Sequence, residues 1–384
     1  MPGSRPVGIF PAMHIPVRKE IPPLTTVVVK IGSRILTADG HKNRFLRLAE
    51  DITALHGAGI RIVVVSSGAI AHGMEALKLN KRPSIIPLQQ ACASVGQHRL
   101  MNRYEQVFSR HGINIGQVLL TWDDLRSKKR YLNLRNTLFQ LLDQNCIPVV
   151  NENDSVGVEE IQFGNNDMLG AQIALLTHAD LFINLTDVGG LYDRNPHTDT
   201  SAKHIPVVTA MSAAVKKMAA DTRKEISVGG MATKLKAVEI VTRAGISALI
   251  GDGFDQRLSD VLSNPQAATL FLPEPRKMSS RHRWIAFTGQ CAGNLTIDDG
   301  AAAALLKGGK SLLAAGIREV SGTFKPGDTV SINTPGGEMI GRGLVNYSSG
   351  ELQLIKRCKS SEIVAKLGTK RFDEVIHRDN LVLL

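Results

Sequence analysis

The chain has 384 residues, 43% hydrophobic and 21% charged, with a formal net charge of +11. That length suggests two or three domains. The composition is that of a soluble globular protein, and no apolar run reaches the roughly 18–20 residues a bilayer span needs. Cys92, Cys146, Cys291 and Cys358 lie far apart without CxxC spacing, which argues against a zinc site or a disulfide framework and fits a reducing cytoplasm. The basic excess is spread thinly: from Arg281 onward there are 14 Lys+Arg against 10 Asp+Glu. A concentrated nucleic-acid footprint is therefore disfavoured.

Residues 1–24 are Pro-rich and lack the apolar core of a secretory signal, so they read as a flexible N-terminal extension. Residues 25–31 form a short apolar run rich in β-branched residues, the first expected strand. Phe45, Leu48, Ile52 and Leu55 then recur at helical spacing up to Gly57 and Gly59. Strands are expected at 61–65, 113–120, 147–150, 181–185 and 246–250, and helices at 87–110, 131–144, 169–176 and 231–243. The intervening 155–163 alternates enough for a hairpin. This alternation defines an α/β domain, a mainly parallel sheet sandwiched by helices, whose ligand lies beyond the carboxyl ends of the strands. After Leu272 the pattern changes to short elements between Gly-rich turns, a small β-rich second domain of roughly 90 residues. The expected organisation is 25–273 for the first domain, 274–281 for a linker, 282–372 for the second domain and 373–384 for a tail.

The polar clusters fall where the expected strands end. Lys30 closes an apolar strand before Gly32-Ser33, where a buried ammonium calls for an anion and a Gly-Ser turn lets backbone N–H groups approach phosphate. A lysine snorkelling from a strand end would give the same string. Ser66-Ser67-Gly68-Ala69-Ile70 joins a strand to a helix start, where free N–H groups bind carboxylate or phosphate; an ordinary Ser N-cap is the plain alternative. Asn151-Glu152-Asn153-Asp154 and Gly164-Asn165-Asn166-Asp167 together suit a small polar substrate, with Asp for an ammonium and Asn for carboxylate and amine at once, although such residues also build turns. Thr186-Asp187 follows another strand, and Gly229-Gly230-Met231-Ala232-Thr233-Lys234 opens a helix. There is no Walker A loop. Two lysines aimed at one polyphosphate, held by a carboxylate, suffice for phosphoryl transfer, with magnesium arriving on the nucleotide.

Val28–Ser33, Ser66–Ile70, Asn151–Asp154, Asn165–Asp167, Thr186–Tyr192 and Gly229–Lys234 resemble, in order and spacing, the glutamate 5-kinases of the amino acid kinase family. The tail, through Arg283-Trp284-Ile285, 293–300, 308–313 and Lys325-Pro326-Gly327-Asp328, resembles a PUA domain. The resemblance implies ATP-dependent phosphorylation of the glutamate side chain, with Mg2+ carried on the nucleotide, as the first step of proline biosynthesis in the cytoplasm. It implies catalytic roles for Lys30, Lys234 and Asp167. Nucleotide binding falls to Lys30, Gly32, Ser33, Thr186, Asp187, Val228, Gly229, Gly230, Met231, Ala232, Thr233 and Lys234. Glutamate binding falls to Ser67, Gly68, Ala69, Asn151, Asp154, Asn165 and Asn166. It also implies L-glutamate as partner, proline as feedback inhibitor, a homo-oligomer (dimer or tetramer) and glutamyl phosphate reductase as pathway partner. Two departures stand out. Asn165 replaces the Asp usual in Gly-Asp-Asn-Asp, which implies weaker glutamate binding or an altered preference. Ser227-Val228 replaces the usual Gly-Thr near the nucleotide. The competing readings are a kinase of the same fold acting on aspartate, N-acetylglutamate or a phosphate acceptor, and an RNA-binding sensor working through the tail; the second is disfavoured because no aromatic stacking ribbon is present.

Overall fold

The computed structural model describes residues 16–37, 41–157, 166–196, 198–218, 230–274, 278–288 and 291–384. They fall into two compact units: the residues before 278 other than Leu125–Lys128 form the first, and Leu125–Lys128 group with Met278–Leu384 in the second.

The first unit is built on an eight-stranded sheet among the described residues. Its strands are β1 (Thr26–Ile31), β2 (Arg61–Val65), β3 (Ile115–Leu120), β4 (Ile147–Glu152), β5 (Leu181–Thr186), β8 (Val207–Val208), β9 (Ser247–Asp252) and β10 (Ala268–Phe271). A separate two-stranded ribbon pairs β6 (Leu191–Tyr192) with β7 (His204–Ile205). The sheet order is β3-β4-β2-β1-β5-β9-β10-β8. β1 pairs in parallel with both β2 and β5, and β4 and β9 extend the parallel sheet outward. The antiparallel β10 lies beside β9, beyond the last strand expected from sequence. It is only four residues long, follows Asn264-Pro265 closely and opens with the small Ala268, so it carries little β signal. The central strands β1, β4 and β5 are buried along their whole length, as a sheet covered on both faces requires. Chain connections leave β1 toward β2 on one side, while β5 joins on the other. The carboxyl ends of these strands therefore flank a topological switch point, where such sheets bind ligands.

The helices in the chain before residue 278 are α1 (Ser33–Thr37), α2 (His41–Gly57), α3 (Ala69–Ala76), α4 (Ile86–Phe108), α5 (Trp122–Arg126), α6 (Lys128–Asp143), α7 (Asn166–Thr177), α8 (Ala213–Met218), α9 (Met231–Arg243) and α10 (Leu258–Ser263). Val27, Val29, Ile31, Ile52, Leu55, Val64, Leu100 and Phe108 belong to one continuous core on one side of the sheet. α7 has nearly every residue buried, so it shows no amphipathic stripe and lies against the sheet. Gly170 permits this: a Cβ there would stand 2.8 Å from the Phe182 ring and 3.2 Å from Lys30 Cβ. Part of the expected N-terminal extension is not loose. Over residues 16–24, Ile21 is buried in the core, and the Arg18 guanidinium donates to the carbonyls of Pro206 (3.2 Å), Asn264 (2.7 Å) and Ala268 (2.6 Å). Those three bonds dock the segment, because a buried cation needs its donors satisfied. Most of the expected hairpin at 155–163 lies outside the described residues.

The second unit carries a five-stranded sheet in the order β12-β11-β13-β14-β15, formed by β11 (Cys291–Ile297), β12 (Ile317–Gly322), β13 (Thr329–Asn333), β14 (Met339–Leu344) and β15 (Leu381–Leu383). Helices α11 (Asp299–Gly308) and α12 (Ser349–Ile355) start on side-chain caps: Asp298 accepts from the Ala301 N–H at 2.7 Å, and Ser348 with Glu351 forms a capping box. Such caps satisfy otherwise orphaned N–H groups. Leu295, Ile297, Leu305, Ile332 and Leu352 close its own core.

Candidate active site

The carboxyl ends of β1, β2, β4 and β5 open into a cleft of about 340 Å3 lined by Lys30, Gly32, Ser33, Arg34, Ser67, Gly68, Ala69, Arg82, Asp154, Asn166, Thr186, Asp187 and Lys234, among others. Register explains the first part of it. In the parallel pairing of β1 with β5, Lys30 stands beside Asn184. α7, seated close by Gly170, brings Asp167 of its first turn onto both. The Lys30 Nζ lies 2.5 Å from Asp167 Oδ1, and the Asn184 amide donates to the same oxygen at 3.1 Å. The other oxygen, Oδ2, receives Lys234 Nζ at 3.3 Å and the Thr233 hydroxyl at 3.1 Å. Lys234 reaches it from the first turn of α9, whose N-cap is Gly230.

All three charged groups are buried. Burial pushes the Asp167 carboxyl up, but Lys30 and Lys234 overcome that and hold it at about 2. Burial pushes the Lys234 ammonium down, opposed chiefly by Asp167. One carboxylate against two ammoniums leaves a local excess of one positive charge facing the cleft. In a water-poor site such fixed charge acts far more strongly than in bulk solvent.

The neighbouring end of the cleft is made differently. Gly68 caps α3 at φ 98°, in the left-handed region that glycine adopts without strain, and this turn sets Ser67 and Ala69 on the cleft wall. The Asn166 amide group lies 3.0 Å from Ser67 Oγ, 3.1 Å from the Ser66 carbonyl and 3.3 Å from Asn151 Oδ1. Asn151 does not line the cleft; its own amide donates to Gln97 at 2.8 Å, so it stands behind Asn166 and fixes it. Asp154 is 5% exposed, and its Oδ1 has no hydrogen-bond partner among the described residues. Burial pushes its carboxyl up to about 7, against the opposing field of Arg82. On the outer lip, Arg34 pairs with Asp187, whose Oδ1 accepts from the Thr186 hydroxyl at 3.0 Å.

The structure thus gathers Lys30, Gly32, Ser33, Ser67, Gly68, Ala69, Asp154, Asn166, Asp167, Thr186, Asp187, Thr233 and Lys234 around one cleft. Gly230, Met231 and Ala232 form the start of α9. Asn165, Val228 and Gly229 lie outside the described residues. Sequence reading missed Asn184, Gln97, Arg34 and Arg82. Asn184 left a signal, a polar residue inside Leu-Phe-Ile-Asn-Leu, where a buried amide must find a partner. Arg34 and Arg82 left none, since exposed arginines are common.

A pair of buried ammoniums on one carboxylate, at the mouth of an open α/β sheet, defines a phosphoryl-transfer enzyme. The profile of the amino acid kinase family matches residues 25–252, and that of the PUA domain matches residues 293–367. A glutamate 5-kinase of Citrifermentans bemidjiense is 44% identical over 372 residues, 96% of this chain and 100% of its own length. One from Trichlorobacter lovleyi is 43% identical over 362 residues, 93% of this chain and 96% of its own. Among solved structures, UMP kinase from Ureaplasma parvum aligns with a TM-score of 0.43 and 16% identity, over 65% of this chain and 99% of that one. The chain belongs to the amino acid kinase family, and within it to the glutamate 5-kinases.

Proposed function

We propose that the protein transfers the γ-phosphoryl group of ATP to the side-chain carboxylate of L-glutamate, giving ADP and L-glutamyl 5-phosphate, the first step of proline biosynthesis, in the cytoplasm. The observation that carries this reading is the Lys30–Asp167–Lys234 cluster at the cleft floor. Its two ammoniums would meet the phosphate oxygens as negative charge spreads over them, with Asp167 keeping both lysines protonated and fixed. Gly32 and Ser33 at the start of α1, with Thr186 and Asp187, would bound the nucleotide. Magnesium, bound through the nucleotide phosphates, would neutralise charge on them. The acceptor carboxylate is already ionised near pH 7, so no general base is needed. It attacks phosphorus as the bond to the ADP oxygen breaks. Asp154 would hold the substrate ammonium, and Ser67 and Asn166 would orient the acceptor. The product is an acyl phosphate prone to hydrolysis, which suits prompt consumption by a glutamyl phosphate reductase. Proline, which shares the α-amino acid group, is the expected competitor for the acceptor site, and a dimer or tetramer is the expected assembly.

The test is ADP release with Mg-ATP and L-glutamate, L-aspartate, N-acetyl-L-glutamate or no acceptor, with hydroxylamine present to trap acyl phosphate. Glutamate-dependent turnover with hydroxamate formation is expected. Turnover with another acid and none with glutamate would overturn the substrate assignment.

A further inference from the structure

Arg82 sits in the loop between α3 and α4 and lines the same cleft as Asp154. Its Nε lies 3.3 Å from Gln89 Oε1. Gln89 is buried and in turn donates to the Pro83 carbonyl at 2.8 Å. The guanidinium is thus held at one nitrogen, while its two terminal nitrogens make no hydrogen bond or ion pair among the described residues. The other cations of the cleft are committed: Lys30 and Lys234 to Asp167, Arg34 to Asp187. The field of Arg82 acts on Asp154, whereas that on Asp167 comes from the two lysines. Arg82 therefore belongs to the acceptor end. Asp154 and Arg82 are neighbours that do not pair with each other, so a buried carboxylate and a forked cation both face the cleft unsatisfied.

An α-amino acid carries its ammonium and its α-carboxylate on one carbon. A carboxylate and a guanidinium side by side are the complement of that zwitterion, and the planar fork of arginine matches a carboxylate in a bidentate way. We propose that Arg82 is a specificity-determining residue that grips the α-carboxylate of the acceptor while Asp154 takes its ammonium. This rests on the α-amino acid acceptor proposed above. The paired charges select acceptors with both groups free and leave the side-chain carboxylate to point toward Lys30 and Lys234.

The experiment compares the parent enzyme with Arg82→Ala and Arg82→Lys, using L-glutamate and L-glutamate 1-amide, in which the α-carboxylate alone is neutralised. Turnover is followed by ADP release at saturating Mg-ATP, and an acceptor too poor to turn over is measured as an inhibitor of glutamate turnover. In Arg82→Ala the glutamate KM is expected to rise about tenfold or more, the loss of one charge-assisted contact. The ATP KM and kcat should stay within about twofold on the same scale. The preference for glutamate over its 1-amide should shrink by the same factor as the glutamate KM rises, and Arg82→Lys should fall between. An unchanged glutamate KM, or an equal rise for both acceptors, would overturn the assignment, the second pointing to mere support of the loop. Absence of glutamate turnover in the parent enzyme would remove the proposed reaction and this clamp together, and it is seen before any variant is made.

Discussion

The two ends of the cleft are opposites. At the floor, Asp167 receives four donors from three elements, β1, β5 and α9, and its carboxyl is held at about 2. At the acceptor end, Asp154 is buried with one oxygen unpartnered among the described residues and its carboxyl pushed up to about 7. The difference separates two jobs. Groups that stabilise a transition state work best when fixed beforehand, because nothing then reorganises during the reaction. Groups that recognise a charged substrate are left incomplete, so that the ligand supplies the missing partner and a neutral analogue does not.

Asp167→Asn attacks the fixed end most directly. It leaves two buried ammoniums without their counter-charge, so kcat in the ADP-release assay should fall by at least about 10^2–10^3. The fold should weaken by about 3–5 kcal/mol, visible as a lowered melting temperature. Lys234→Met should lower kcat by roughly 10^2 with glutamate KM nearly constant. Asp154→Asn should instead raise glutamate KM, by about 10–100-fold for a lost charge pair, with ATP KM unmoved.

The pH dependence sharpens the same contrast. Only ionised Asp154 attracts an ammonium, so glutamate KM should fall as pH rises from about 6 to 8, levelling above the carboxyl's own value. The free protein should respond in the opposite sense. A carboxyl whose pKa is raised on folding contributes stability that is full below the ordinary carboxylate range and is lost as pH rises through about 7. Asp154→Asn should abolish both trends in titrations of KM and of melting temperature. The smallest effect is expected at the lip. Arg34 is 74% exposed in its pair with Asp187, and such pairs contribute roughly 0–1 kcal/mol. Arg34→Ala should therefore change ATP KM by less than about fivefold.

Legibility in the sequence followed the same division. β2 and α9 occupy the residues expected of them, because a β-branched run and a Gly-Gly helix start are local signals. Lys30, Asp167 and Lys234 were legible as odd charges at the ends of apolar elements. What could not be read was set by contacts between distant segments. Asn151 and Glu152 continue β4 although polar, because tertiary pairing, not propensity, decides there. Asn184 acts only through its register with Lys30. Arg18 reads as part of a loose leader, and only its carbonyl partners, 188 to 250 residues away, dock it. Arg82 has meaning only beside Asp154, and no spacing rule joins the two.

The most direct test is the parallel kinetics of Asp167→Asn and Asp154→Asn in one hydroxamate assay with L-glutamate and Mg-ATP. The division of labour requires the first to lose kcat while keeping glutamate KM within a few-fold, and the second to lose KM while keeping kcat. If both variants lost the same parameter to a similar degree, the two ends would act as one unit, and the division of labour between them would not exist.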